Sequence, residues 1–137
     1  MLVLGIVGPI GAGKTEVLRL LEEHGARTVA ADALSREVLA TGQPALEQVR
    51  EAFGEEFLDA AGNLQRRKLG DLVFRDEAAR RRLDGIVHPL MTAALRRRLE
   101  QWRDEGVRVA VVESAVLDEM GARPLVDRVL LVTAPET

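Results

Sequence analysis

The amino-acid sequence predicts an α/β fold with a parallel sheet of about four strands and a helical insertion inside it. Three observations carry that prediction. Three segments, "LVLGIV", "VRVAVVE" and "DRVLLVT", have the short apolar runs of strands covered on both faces, the pattern of parallel sheets, and "RTVAAD" reads as a fourth strand. Helical periodicity falls between them, and strands separated by helices imply right-handed crossovers. Between Ala33 and Gly106 strand signals vanish, and Gly and Pro punctuate a succession of helices instead.

Taken in order, "LVLGIV" ends at Gly8-Pro9 and a helix follows, with Val17, Leu18 and Leu21 at helical spacing and Gly25 as its left-handed stop. "RTVAAD" is the second strand. The segments "DALSREVLATG", "PALEQVREAFGEEF", "RRKLGDLVF" and a long stretch from His88 read as helices. In the last of these Met91, Leu95, Leu99 and Trp102 recur at spacings of three and four, a core-facing stripe. The triplets Arg80 to Arg82 and Arg96 to Arg98 spread around their helices and read as solvated. The last two strands follow turn signals at Gly106 and Gly121. No repeat, low-complexity tract or linker divides the chain. Its 137 residues therefore read as one domain, with a core of residues 1–32 and 107–137 and a helical region of residues 33–106.

Composition narrows the function. The sequence has no cysteine, which excludes disulfides and Cys-based zinc sites and makes a reducing cytoplasm the default location. No apolar run approaches the roughly 18 residues of a membrane span, and Met1 to Val7 lack the basic flank of a signal peptide. A net charge of -3, with one Trp, three Phe and no Tyr, leaves no basic excess and few stacking platforms. Neither nucleic acid nor a membrane is an expected partner.

The stretch "GPIGAGKT" carries the chemistry. Gly8, four spacer residues and Gly13-Lys14-Thr15 match G-x-x-x-x-G-K-[ST] in full, with a strand before and a helix after. A plain glycine-rich turn leaves unexplained why Lys and Thr open the helix. Backbone N–H groups of Gly8, Pro9-flanked Ile10, Gly11, Ala12 and Gly13 turn inward around a phosphate in such a loop, and the helix aims its partial positive end at the same place. Lys14 reaches the β- and γ-phosphates, and the Thr15 hydroxyl ligates Mg²⁺. The fold class is therefore a P-loop NTPase core that binds a nucleoside triphosphate. A guanine-reading Asn-Lys-x-Asp loop is missing, since the only Asn is Asn63 and Leu-Gln-Arg follows it. That disfavours a GTPase.

Asp32 ends the "RTVAAD" strand in this reading, at the edge where open α/β sheets keep their sites. A carboxylate there can accept a substrate hydroxyl proton. It can equally serve as the N-cap of the helix that follows.

Together "GPIGAGKT", "ADALSREV", "AFGEEF", "GNLQRRKLGDLVF", "IVHP" and "DRVLLVTAPE" resemble the dephospho-CoA kinases, in that family's order and approximate spacing. The resemblance implies an ATP-dependent, Mg²⁺-assisted kinase that phosphorylates the ribose 3′-hydroxyl of dephospho-CoA, with the helical region holding that substrate. It implies that Asp32 is the catalytic base beside Lys14, and that Arg36, Arg66 and His88 contact substrate. For Arg66 a solvated helix face, and for His88 a cap on the helix opened by Pro89, stand as alternatives.

Two departures from the family pattern stand out. Ala30-Ala31-Asp32 replaces the usual Asp-Ala-Asp; residues 30 and 32 of a strand face one side, so a like charge beside Asp32 is lost. "ESAVLDE" replaces a run that usually continues Pro-Leu-Leu-Phe-Glu, leaving Glu113 at the strand end to hold the Mg²⁺ shell through water. "TAPET" has the Thr133, Pro135 and Glu136 of a capping box for a further helix. The resemblance implies that this helix, an arginine-bearing lid, a final strand and the adenine contacts follow it. The 137 residues are thus expected to be an N-terminal portion, with weak nucleotide binding, little kinase activity and "DRVLLVT" as an open sheet edge.

Overall fold

A computed structural model describes residues 1–8, 13–114 and 117–132. Strand β1 spans Leu2–Val7, helix α1 Lys14–Glu23 and strand β2 Arg27–Ala30. Four helices follow: α2 (Ala31–Val38), α3 (Pro44–Phe53), α4 (Arg66–Arg75) and α5 (Glu77–Asp104). Strands β3 (Val109–Glu113) and β4 (Arg128–Leu131) complete a four-stranded parallel sheet in the order β2-β3-β1-β4.

Period-two side-chain alternation divides the core between the two faces of this sheet. Ile6 and Val111 pack with Ala26 against the α1 side, where Val17, Leu18 and Leu21 cover them. Val3, Ala110 and Val112 face the other way, toward Leu34 of α2 and Met91, Leu95, Leu99 and Trp102 of α5. The α5 stripe read from the sequence is buried along its whole length. Strand β4 lies at the sheet edge with all four residues exposed, so "DRVLLVT" is not covered on both faces as its apolar run predicts: an edge strand has a neighbour on one side only.

Helix α5 corrects the sequence at its N-terminal half. It begins at Glu77, capped by the Asp76 carboxylate, which accepts from the Ala79 N–H at 3.2 Å, and it runs through His88 and Pro89 without ending. Pro89 therefore opens no helix, and His88 caps none. A proline inside a helix forfeits one hydrogen bond to the carbonyl four residues back. Here that carbonyl belongs to Gly85, and both residues are exposed, so water can take the freed acceptor.

Packing of the helices on α5 is reinforced by the arginines. Arg98 donates to both Glu37 carboxylate oxygens at 2.7 and 3.0 Å, tying α5 to α2. Arg82 donates to the Ala52 carbonyl near the end of α3 and lies over the Phe53 ring. Within triplets that read as solvated, Arg82 and Arg98 thus also tie helices together.

Candidate active site

Strands β1, β2 and β3 finish at one level: Glu113 pairs in register with Ile6 on one side and Ala30 on the other. At that edge opens a cleft of about 630 Å³ lined by Gly13, Lys14, Thr15, Leu18, Ala30, Asp32 and Glu113. It is the C-terminal edge of a parallel sheet, where the strand-to-helix turns converge.

Both described glycines of the loop motif are demanded by the backbone. Gly13 precedes α1 with φ 88°, a left-handed conformation that side chains disfavour. A Cβ on Gly8 would stand 2.4 Å from the Val132 carbonyl oxygen, because β4 runs directly against the end of β1. Lys14 and Thr15 then open α1, whose first-turn N–H groups have no intrahelical acceptors. Pro9, Ile10, Gly11 and Ala12 lie outside the described residues, as do Thr133, Pro135 and Glu136.

The lysine is not idle. Its Nζ donates to Glu113 Oε1 at 2.8 Å, and the two side chains are only 15% and 19% exposed. The sequence separates them by 99 residues, so spacing could not have revealed the pair.

Asp32 sits differently from its sequence reading. Strand β2 stops at Ala30, the chain turns into α2 at once, and Ala30 occupies the N-cap in extended conformation with no side-chain cap. Asp32 is in the first turn of α2, not at a strand end and not at the cap. The physical reason is burial: Ala31 and Leu34 are buried on the α2 face turned to the core, and a helix starting at Ala31 places both there. The strand-parity argument for residues 30 and 32 falls with it, although both still line the cleft. A carboxylate in a first helical turn also complements the helix dipole.

Asp32 lines a second, smaller cavity of about 170 Å³ together with Ser35, Leu39, Asp84 and His88. Here His88 is mostly covered, and its Nε2 lies 3.5 Å from Asp84 Oδ1 one helical turn back. The sequence reading did not single out Asp84. Its spacing of four from His88 was visible, but only a helix continuing through Pro89 gives that spacing meaning. Arg36 lies one turn beyond Asp32 on α2. Arg66, the first residue of α4, donates to the Arg36 backbone carbonyl at 3.3 Å. Both arginines are exposed and stand outside the two linings.

A parallel sheet, a Gly-Lys-Thr helix start at its C-terminal edge and paired charges in the cleft define a P-loop NTPase fold. The chain belongs to the dephospho-CoA kinase family, whose sequence profile matches residues 2–137. Among curated relatives it is 46% identical over its full length to a dephospho-CoA kinase of Streptomyces avermitilis, covering 66% of that protein. It is 42% identical to one from Methylococcus capsulatus, again over its full length, covering 68% of that protein. A crystal structure of TT1252 from Thermus thermophilus superposes with a TM-score of 0.80 at 30% identity, over 98% of this chain and 66% of that one. A dephospho-CoA kinase from Campylobacter jejuni shares the fold, with a TM-score of 0.77 at 20% identity, over 98% of this chain and 67% of that one. The chain thus spans about two thirds of the length of these proteins.

Proposed function

We propose that this chain binds ATP at the P-loop and supplies the catalytic core for phosphorylation of the 3′-hydroxyl of dephospho-CoA, giving coenzyme A. The observation that carries this reading is the meeting of Lys14, Thr15, Asp32 and Glu113 in one cleft at the strand ends. In this reading the phosphates lie on the loop and the α1 N-terminus, with Lys14 on the β- and γ-phosphates. Asp32, on the wall toward α2, orients the ribose hydroxyl and takes its proton as the oxygen attacks the γ-phosphorus and the bond to ADP breaks. The helical region from α2 to α5 holds the acceptor, with His88 in the cavity that Asp32 shares, and the exposed Arg36 and Arg66 are its further contacts in this reading.

The donors also suit a divalent cation. Thr15 supplies a hydroxyl and Glu113 a carboxylate, hard oxygen ligands of the kind Mg²⁺ takes. Among the described residues no cluster of three or more His, Cys, Asp or Glu side chains could hold a metal by itself. Thr15 and Glu113 would hold Mg²⁺ together with phosphate oxygens, and there it would supply neutralisation of the charge developing on the transferred group. No helix among the described residues is long and apolar enough to cross a membrane, and the proposed acceptor is a small molecule.

The test measures ADP release with dephospho-CoA, AMP and shikimate as acceptors, for the wild type and for Asp32→Asn. We expect release to be greatest with dephospho-CoA and to fall by about 10²-fold or more in the variant, with ATP affinity held within about two-fold. A preference for AMP or shikimate would move the chain to another acceptor. ATP binding without turnover on any acceptor would make it a nucleotide-binding module.

A further inference from the structure

We infer that Glu113 is the resting counter-ion of Lys14 and thereby selects metal-bound nucleotide over free nucleotide. The inference rests on the nucleotide-binding reading and adds a role for Glu113 besides contact with the metal shell. It starts from the 2.8 Å pair between Lys14 Nζ and Glu113 Oε1. The two residues stand on different rigid elements, the start of α1 and the end of β3, so the pair is built by the tertiary fold. Both side chains are largely withdrawn from water, and an unpartnered ammonium there would be costly. Glu113 is the partner that meets this cost while the cleft holds no phosphate.

A phosphate entering the cleft needs the same ammonium. Lysine has three N–H donors, so sharing is geometrically open, but sharing brings the carboxylate and the phosphate, two like charges, around one nitrogen. Parting the pair instead leaves the carboxylate uncovered. Either way, nucleotide alone meets opposition from Glu113. A divalent cation accompanying the nucleotide gives Glu113 a new positive partner as the lysine turns away. Glu113 thus exchanges one cation for another, and the cost falls on metal-free nucleotide alone.

Asp32 provides the control, because it places a second carboxylate in the same cleft without touching Lys14. ATP affinity is measured by titration calorimetry in EDTA and in Mg²⁺, for the wild type, Glu113→Gln, Glu113→Asp and Asp32→Asn, each checked by its circular dichroism melt. Glu113→Gln should bind metal-free ATP about 3–10-fold tighter than the wild type and gain less from Mg²⁺. Glu113→Asp, one methylene shorter, should move the same way by less and stands in if the Gln variant does not fold. Asp32→Asn should change metal-free affinity by less than either. Metal-free affinity unchanged or weakened by the Glu113 substitutions, or raised as much by Asp32→Asn, overturns the exchange. A wild type that binds no ATP in either condition overturns the nucleotide-binding reading itself.

Discussion

Replacing Gly8 by alanine separates the two reasons a P-loop glycine can exist, room for a phosphate and room for the protein's own backbone. The new Cβ would lie 2.4 Å from the Val132 carbonyl oxygen and 3.3 Å from its carbonyl carbon. Outside its own and the adjacent residues a Cβ essentially never comes within 3.0 Å of a heavy atom, so the two segments must part by about 0.6 Å or more. The obstacle is backbone, and no rotamer change relieves it. Beside it the Val132 N–H donates to the Val7 carbonyl at 2.8 Å, at the end of the β1–β4 pairing. Loss of that bond costs about 0.5–1.5 kcal/mol and the overpacking about 1–3 kcal/mol, so Gly8→Ala should destabilise by about 2–4 kcal/mol. With a urea slope of about 2 kcal/mol per molar, the midpoint of a circular dichroism titration should fall by about 1–2 M. Gly13→Ala is the companion: nothing stands within 4 Å of its Cβ, so only the left-handed backbone is penalised, at about 1–2 kcal/mol. A Gly8→Ala midpoint within about 0.3 M of wild type, or a larger loss in Gly13→Ala, would refute the argument from close approach.

Lys14→Ala should abolish ATP-dependent turnover and weaken ATP binding, and it should lower the unfolding midpoint modestly, because the largely covered Glu113 loses its counter-ion; unaltered turnover would remove the lysine from the chemistry. Leu95→Ala, at a fully buried position between α5 and the sheet, should cost about 2–5 kcal/mol by urea titration, and a loss below about 1 kcal/mol would mean that the stripe does not hold the helical region to the core.

Much of this architecture is legible without coordinates, for reasons that differ from element to element. Strands β1 and β3 announce themselves because both faces of a central parallel strand are covered, so burial leaves no polar alternation in the sequence. The Met91 to Trp102 stripe is visible because helical period alone aligns those residues. The run from Gly8 to Thr15 is legible because its residue types and spacing form one short motif, although the approach of Val132 to Gly8 is a long-range demand that the motif does not reveal. The errors fall where a tertiary demand overrode a local signal. Pro89 looks like a helix start, yet α5 continues through it because Val87 and Met91 on either side are buried and hold the backbone helical. Asp32 looks like a cap, yet burial of Ala31 and Leu34 starts the helix earlier and shifts the carboxylate into its first turn.

What the sequence by itself determined is therefore the kind of site: a phosphate loop between a strand and a helix, with an aspartate and a glutamate close behind two strands. What the tertiary structure decided is which charges meet. Lys14 finds Glu113 across 99 residues, Asp32 joins His88 in one cavity, and Arg66 turns to the Arg36 carbonyl. Periodicity and motif spacing report on neighbours a few residues apart. Ion pairs between the end of one strand and the start of a distant helix depend on sheet order and register, and these arise only when the whole core is packed.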